Sequence, residues 1–229
     1  MLKYFISIAL ILVFINLSAQ QDSLHLDQAD SLTRHQPVKI RFGWDAGKFI
    51  WTKIQNGQSF DGYISVNFYK NYALVFEAGT ENHLTEQSLL TYQTNGKYFK
   101  TGIDYNLYDN WLDMQNEINI GFRYGYSSFD YLLTRYRINQ PDAIYTPVEK
   151  TTHKEFNNQS AGWLELSSNI QVEIWKHLYL GYAVSVKYLL SYQKPENFDT
   201  SYIPGFFKRN SFSNFGFGMQ YFISYQFIF

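Results

Sequence analysis

The sequence of 229 residues contains no cysteine. Disulfides, thiolate metal sites, cysteine nucleophiles and lipid attachment to an N-terminal cysteine are therefore excluded. Beyond the first 17 residues no run of 18 apolar residues occurs, so no helix is long enough to span a membrane. Neither sign of charge dominates: 19 basic residues stand against 20 acidic ones. No basic patch stands out, and nucleic acid is not an expected partner. No metal-ligand spacing and no phosphate-binding loop is present, so no cofactor and no metal is expected.

What is abundant is aromatic. Phe, Trp and Tyr make up 20% of the chain, and membrane β-barrels collect these residues at both interfaces. The chain starts Met1-Leu2-Lys3, continues apolar from Tyr4 to Leu17 with only Ser7 and Asn16 as polar members, and reaches small residues at Ser18-Ala19. A charged start, a short apolar run and a small-residue exit read as a secretory signal peptide over residues 1–19. Residues 20–36 are polar and acidic-leaning and read as a flexible periplasmic tail, too poor in apolar surface to offset its ordering entropy.

Residues 37–229 read as one β-barrel domain. The closing stretch Phe212–Phe229 sets the pattern: Phe215, Phe217, Met219, Tyr221, Ile223, Tyr225, Phe227 and Phe229 alternate with mostly polar or small residues. Period-2 alternation of this kind marks a strand with one apolar face. Seven earlier stretches repeat it, starting near Val38, Phe60, Tyr72, Lys97, Glu117, Leu164 and Leu178. Turns alternate in length: those at 70–71, 109–114 and 176–177 are short, and those at 46–58, 81–96, 127–160 and 193–211 are long. Short turns on one side and long loops on the other match an outer-membrane barrel with periplasmic short turns. The fold expected is all-β, an eight-stranded antiparallel up-and-down transmembrane β-barrel in the cell outer membrane. The alternative is a secreted barrel of lipocalin type, which would turn its apolar face inward. The nearly charge-free apolar sets, the charges on almost every polar set and the aromatic final residue favour the membrane version. A terminal aromatic also fits recognition by barrel assembly machinery.

Several segments resemble a small outer-membrane β-barrel family of Bacteroidota catalogued as a domain of unknown function: Lys100–Tyr108, Gly121–Phe129, Tyr202-Ile-Pro-Gly205 and Gly216-Phe-Gly218. The resemblance implies a fold and no activity.

Two residue sets are candidates for function. The polar faces gather Lys39, Arg41, Lys100, Arg123 and Lys187 against Asp45, Glu77, Asp104, Glu117, Glu165 and Glu173. An eight-stranded barrel is just filled by its side chains, so these charges must pair or bear a large desolvation cost. They read as an interior charge network closing the lumen; a narrow channel is the sharper alternative. The second set is Tyr202, Phe206, Phe207, Lys208 and Arg209, aromatics beside cations that suit an extracellular protein, a glycan or lipid phosphate. No catalytic site is expected. A lipid-modifying enzyme would need His83 or His153 with a serine such as Ser88 or Ser160, because His25, His35 and His177 fall in the tail or a periplasmic turn. Glu165 and Glu173 lie eight residues apart, too far along a strand to act as an acid–base pair. The expected protein is a monomer surrounded by outer-membrane lipids, with a structural or binding role carried by its long outward loops.

Overall fold

The computed structural model describes residues 38–55, 57–87, 90–108, 115–138, 148–193, 202–209 and 213–229. The signal peptide and tail expected over residues 1–36 lie outside the described residues, as do Ser88 and the turn at 109–114.

Eight antiparallel strands close a barrel: β1 (Lys39–Asp45), β2 (Gln58–Tyr69), β3 (Tyr72–Glu86), β4 (Leu90–Asn106), β5 (Glu117–Ile138), β6 (Val148–Trp175), β7 (Leu178–Tyr192) and β10 (Phe215–Ile228). Neighbours in sequence are neighbours in space, and β10 closes the ring onto β1. A helix, α1 (Ala46–Ile54), follows β1, and a two-stranded hairpin, β8 (Tyr202–Ile203) and β9 (Phe207–Lys208), precedes β10.

The burial pattern decides between the two barrels left open by the alternation. Phe42, Phe76, Phe99, Phe122, Leu166 and Val186 are exposed on the outer face, whereas Arg41, Glu77, Lys100, Arg123 and Glu165 are buried in the lumen. A water-soluble barrel has the opposite sidedness; an apolar outer wall around a polar interior belongs to a transmembrane barrel. Closure also gives each wall strand a partner on both sides in the inner half, which lipid demands of any spanning backbone. Exposed aromatics run along this wall and reach both of its ends. Tyr72 and Tyr105 pack at 4.8 Å near the short-turn end, and Tyr188 and Phe215 at 5.1 Å near the long-loop end.

The short turns fall at Lys70-Asn71 and Lys176-His177, where Lys70 and His177 adopt positive φ. The long loops are shorter than the alternation implies. The stretch expected as a loop over 81–96 is largely strand: β3 and β4 pair from Glu81↔Gly96 to Glu86↔Thr91. Likewise β5 and β6 pair out to Ile138↔Val148 within the expected loop over 127–160. Beyond the apolar belt the outer face no longer needs to be greasy, so the backbone ladder continues after the hydrophobic period has faded. The segment expected to loop over 46–58 instead holds α1. Asp45 caps it, accepting from the Lys48 backbone N–H at 2.9 Å, as an N-terminal acidic residue does for the free amides of a first turn.

Candidate functional site

Period-2 geometry sends every second residue of eight strands into one narrow lumen, so charges far apart in sequence must meet. They form one continuous chain. At the short-turn end the Arg41 guanidinium donates twice to Glu117, at 2.7 Å each, donates to Gln226 and lies 4.6 Å from the Tyr179 ring centre. Asn119 donates to Glu117 at 3.2 Å and to Asn169 at 2.9 Å. Asn169 passes the chain to Asp104 at 3.3 Å. Arg123 holds Asp104 at 2.9 and 3.1 Å and reaches Glu77 at 3.3 Å. Lys100 lies between Glu77 at 2.9 Å and Glu165 at 3.3 Å, and Lys187 approaches Glu165 at 3.7 Å.

Eight of the eleven charges singled out in the sequence thus stand in one network: Arg41, Glu77, Lys100, Asp104, Glu117, Arg123, Glu165 and Lys187. The other three sit elsewhere. Asp45 is buried but serves as the cap of α1. Lys39 is half-buried at the inner rim, donating to Gln115 at 3.1 Å. Glu173 is also half-buried at that rim and accepts from the His177 backbone at 2.8 Å. The cavity among Arg41, Tyr63, Glu77, Glu117 and Arg123 is only about 30 Å³, room for about one water.

The outer half of the lumen is closed differently. Tyr92, Tyr98, Phe129, Tyr131 and Trp163 point inward from β4, β5 and β6 and form an apolar cluster with Ile203 and Phe206 of the hairpin. The hairpin therefore enters the barrel. Its turn at Gly205 has φ +76°, and a side chain there would press on the Tyr98 ring, so glycine is required twice over. Polar groups fasten it: the Tyr202 hydroxyl and the Gly205 amide both donate to Glu81, and Lys187 donates to the Gly205 carbonyl at 2.7 Å.

The five residues expected to bind through an outward loop divide between the plug and the mouth. Phe206 is fully buried against Trp163, 5.8 Å between ring centres. Phe207 has Lys48 and Lys187 over its ring at 4.7 and 4.3 Å. Arg209 is half-buried over Tyr192 at 4.9 Å. Lys208 alone of the five is exposed. Aromatic rings beside a lumen lined with aromatics gain more by burial than by facing water.

Three ionic residues of this outer half escaped the sequence reading: Lys48, Asp61 and Glu81. Lys48 Nζ contacts Asp61 at 2.9 Å, Glu81, and the Tyr98 hydroxyl at 3.2 Å. The signals were present. Asp61 and Glu81 are one period-2 step beyond the inward sets of β2 and β3. Lys48 and Thr52 have the i, i+4 spacing of one helix face, opposite Ile50, Trp51 and Ile54.

Above the plug the barrel mouth is concave. A hollow of about 650 Å³ is lined by Trp51, His83, Glu86, Tyr202, Phe207 and Lys208. Trp51 is 63% exposed, and His83 stacks on Tyr202 with ring centres 4.1 Å apart. The histidine–serine pairs needed by an enzyme do not assemble from His153 and Ser160, which lie seven residues apart on β6, about 23 Å along an extended strand. Ser160 instead donates toward Gln193 at 3.4 Å. Among the described residues no group of His, Asp and Glu is arranged to hold a metal ion.

A charge-filled transmembrane barrel closed at its outer end by a hairpin is the frame in which the similarities to known proteins fall. The domain of unknown function DUF6048 matches residues 1–229. The chain belongs to this family. No curated protein matches the DUF6048 chain in sequence. Among solved structures it is similar to Neisserial surface protein A, at 8% identity and TM-score 0.41, covering 83% of this chain and 96% of that one. It is also similar to Ail, the attachment invasion locus protein of Yersinia pestis, at 9% identity and TM-score 0.37, covering 83% and 97%. A further structure of Ail, in complex with the heparin analogue sucrose octasulfate, matches at 8% identity and TM-score 0.38, again covering 83% and 97%.

Proposed function

We propose that this DUF6048 protein is an outer-membrane barrel of Bacteroidota with a closed lumen, and that it binds an extracellular glycan at its outward mouth. The observation that carries the reading is the hollow around Trp51. It offers an exposed indole, a stacked His83–Tyr202 pair and the charged ends of Glu86 and Lys208 in one concavity open to solvent. Flat apolar rings beside polar hydrogen-bonding groups suit a sugar, which has an apolar C–H face and a hydroxyl rim.

The closed lumen supports binding over transport. The paired charges of the inner half and the aromatic plug of the outer half support a lumen closed to ions, so planar-bilayer recordings of the purified protein are expected to show no steady conductance. The apolar wall supports outer-membrane residence. Fractionated cells should carry the protein in the outer membrane with a folded-to-unfolded band shift on heating; a soluble periplasmic protein without that shift would refute the reading.

The glycan is tested with the refolded protein on an oligosaccharide array, then by titration of the best binder. Trp51→Ala should weaken binding by about 2 kcal/mol, roughly thirtyfold, with Lys208→Ala smaller. Absence of any bound oligosaccharide, or equal affinity of Trp51→Ala, overturns the assignment.

A further inference from the structure

The barrel wall is not made of strands all the way round. β1 has 7 residues and β10 has 14. Their ladder runs from Lys39↔Ile228 only to Asp45↔Phe222, and beyond that level β10 residues 215–221 pair with β7 alone. α1 stands in the gap, packed against both β2 and β10. A helix satisfies its own amides, so lipid tolerates it at a wall position. Several contacts fix it there. Asp45 caps its first turn. On the lumen side the Lys48 ammonium is ion-paired with Asp61 and Glu81, and Ser59 donates to Thr52 at 3.0 Å. Phe49 packs on Trp44 of β1, 5.3 Å between ring centres.

A helix with its side chains is about 10 Å across, thicker than a strand. Where α1 meets the outer wall the surface therefore forms a corner, a groove of about 750 Å³. Ala46, Gly47 and Ile50 line its helix side, and Val172, Ile174 and Leu180 line its wall side; no charged side chain takes part. Ile50, Val172, Ile174 and Leu180 are exposed members of the lipid-facing belt, so the groove is continuous with that belt and hydrocarbon fills it. An acyl chain lying there has protein on two sides instead of one, with correspondingly more close contacts. One end of the groove approaches a charge. Ile174 stands two residues before Lys176, which is exposed in the short turn between β6 and β7. Trp175, 77% exposed between them, has the amphipathic ring that sits at headgroup level. Short turns are periplasmic, so the Lys176 ammonium lies among the headgroups of the inner leaflet, where a cation attracts anionic lipid.

We propose that the corner between α1 and the β6–β7 wall is a binding site for one anionic glycerophospholipid of the inner leaflet. One acyl chain lies in the groove against Ile50, Val172 and Ile174, and the headgroup phosphate meets Lys176. α1 stays docked throughout, and the groove exists because it does. The site presupposes the transmembrane placement of the barrel and is independent of glycan binding at the mouth. No covalent step is involved.

The test places the full chain in nanodiscs of phosphatidylethanolamine and phosphatidylglycerol in equal amounts and reads the lipid that stays on the released barrel by native mass spectrometry. One retained lipid per barrel is expected, with phosphatidylglycerol enriched over phosphatidylethanolamine. Val172→Trp, which fills the groove, should lose it. Val184→Trp, the same change at a lipid-facing position outside the lining, should keep it. Lys176→Gln should lower the enrichment about fivefold, the worth of one basic residue at an anionic lipid surface. Phosphatidylglycerol with a photoactivatable acyl chain reads the site without any substitution, and its labels should concentrate on Ile50 and Val172. No retained lipid, equal retention in Val172→Trp, loss in both tryptophan variants, unchanged enrichment in Lys176→Gln, or labels spread evenly round the wall would each overturn the proposal.

Discussion

The two halves of the lumen are built on different plans. Toward the short turns, eight strands surround Arg41, Glu117, Asn119 and Asn169, and every side chain in the network comes from the wall itself. Toward the long loops, one wall position is a helix, and the space inside is filled by Ile203 and Phe206 from a connecting segment. The inner half completes itself as the strands pair. The outer half is complete only once α1 and the hairpin have docked. The inner half is therefore expected to act as the scaffold, and the outer half to open before the barrel unfolds.

The largest effect that tests this contrast lies in the middle of the network. Glu77 accepts from Lys100, Arg123 and Gln220 while buried. Glu77→Ala leaves two buried cations short of a partner, and breaking such a set costs about 3–5 kcal/mol. The loss should appear as a shift of the whole cooperative urea transition in lipid vesicles. A loss below about 1 kcal/mol, the scale of an exposed pair, would show that the network is not the scaffold.

A smaller effect is expected from the plug. Burial of a phenylalanine is ordinarily worth about 3–5 kcal/mol on truncation. Phe206 sits on a hairpin outside the wall ladder, so Phe206→Ala should reduce global stability by only about 1 kcal/mol, with the remainder appearing as local opening. An environment-sensitive fluorophore on Lys208→Cys, in this cysteine-free chain, should report undocking well below the urea midpoint. One shared transition for label and barrel would erase the distinction between the halves.

How much was legible in the sequence follows the same division. Alternation predicts the eight wall strands and the inward charges because lipid outside and a tight lumen inside force period-2 chemistry on every strand. It weakens where the environment becomes symmetric. Thr80 and Asn82 face outward on β3 above the belt and are polar, so the stretch over 81–95 reads as loop although residues 81–86 pair with 91–96. The plug was legible as an aromatic cluster but not as an interior element, because Tyr202, Phe206 and Phe207 look the same in sequence whether they face water, lipid or lumen. The helix was legible only through Lys48 and Thr52 opposite Ile50, Trp51 and Ile54, a spacing that a reader following strands passes over.

The smallest effect expected comes from proton binding on the plug. Burial and the neighbouring Glu81 carboxylate, with Asp61 behind it, push the Tyr202 hydroxyl well above its usual value of 10.0. The docked hairpin thus retains a proton that the released one loses. Its contribution is complete below pH 10 and falls as pH rises through the higher docked value, where a tyrosinate would face Glu81. The fluorophore at Lys208→Cys should accordingly report progressive release of the hairpin above about pH 10, and Tyr202→Phe should dock less firmly at neutral pH while losing that alkaline step. If the step survives in Tyr202→Phe, the release comes from another group, and the outer half is held by its aromatic packing more than by the hydrogen bond to Glu81.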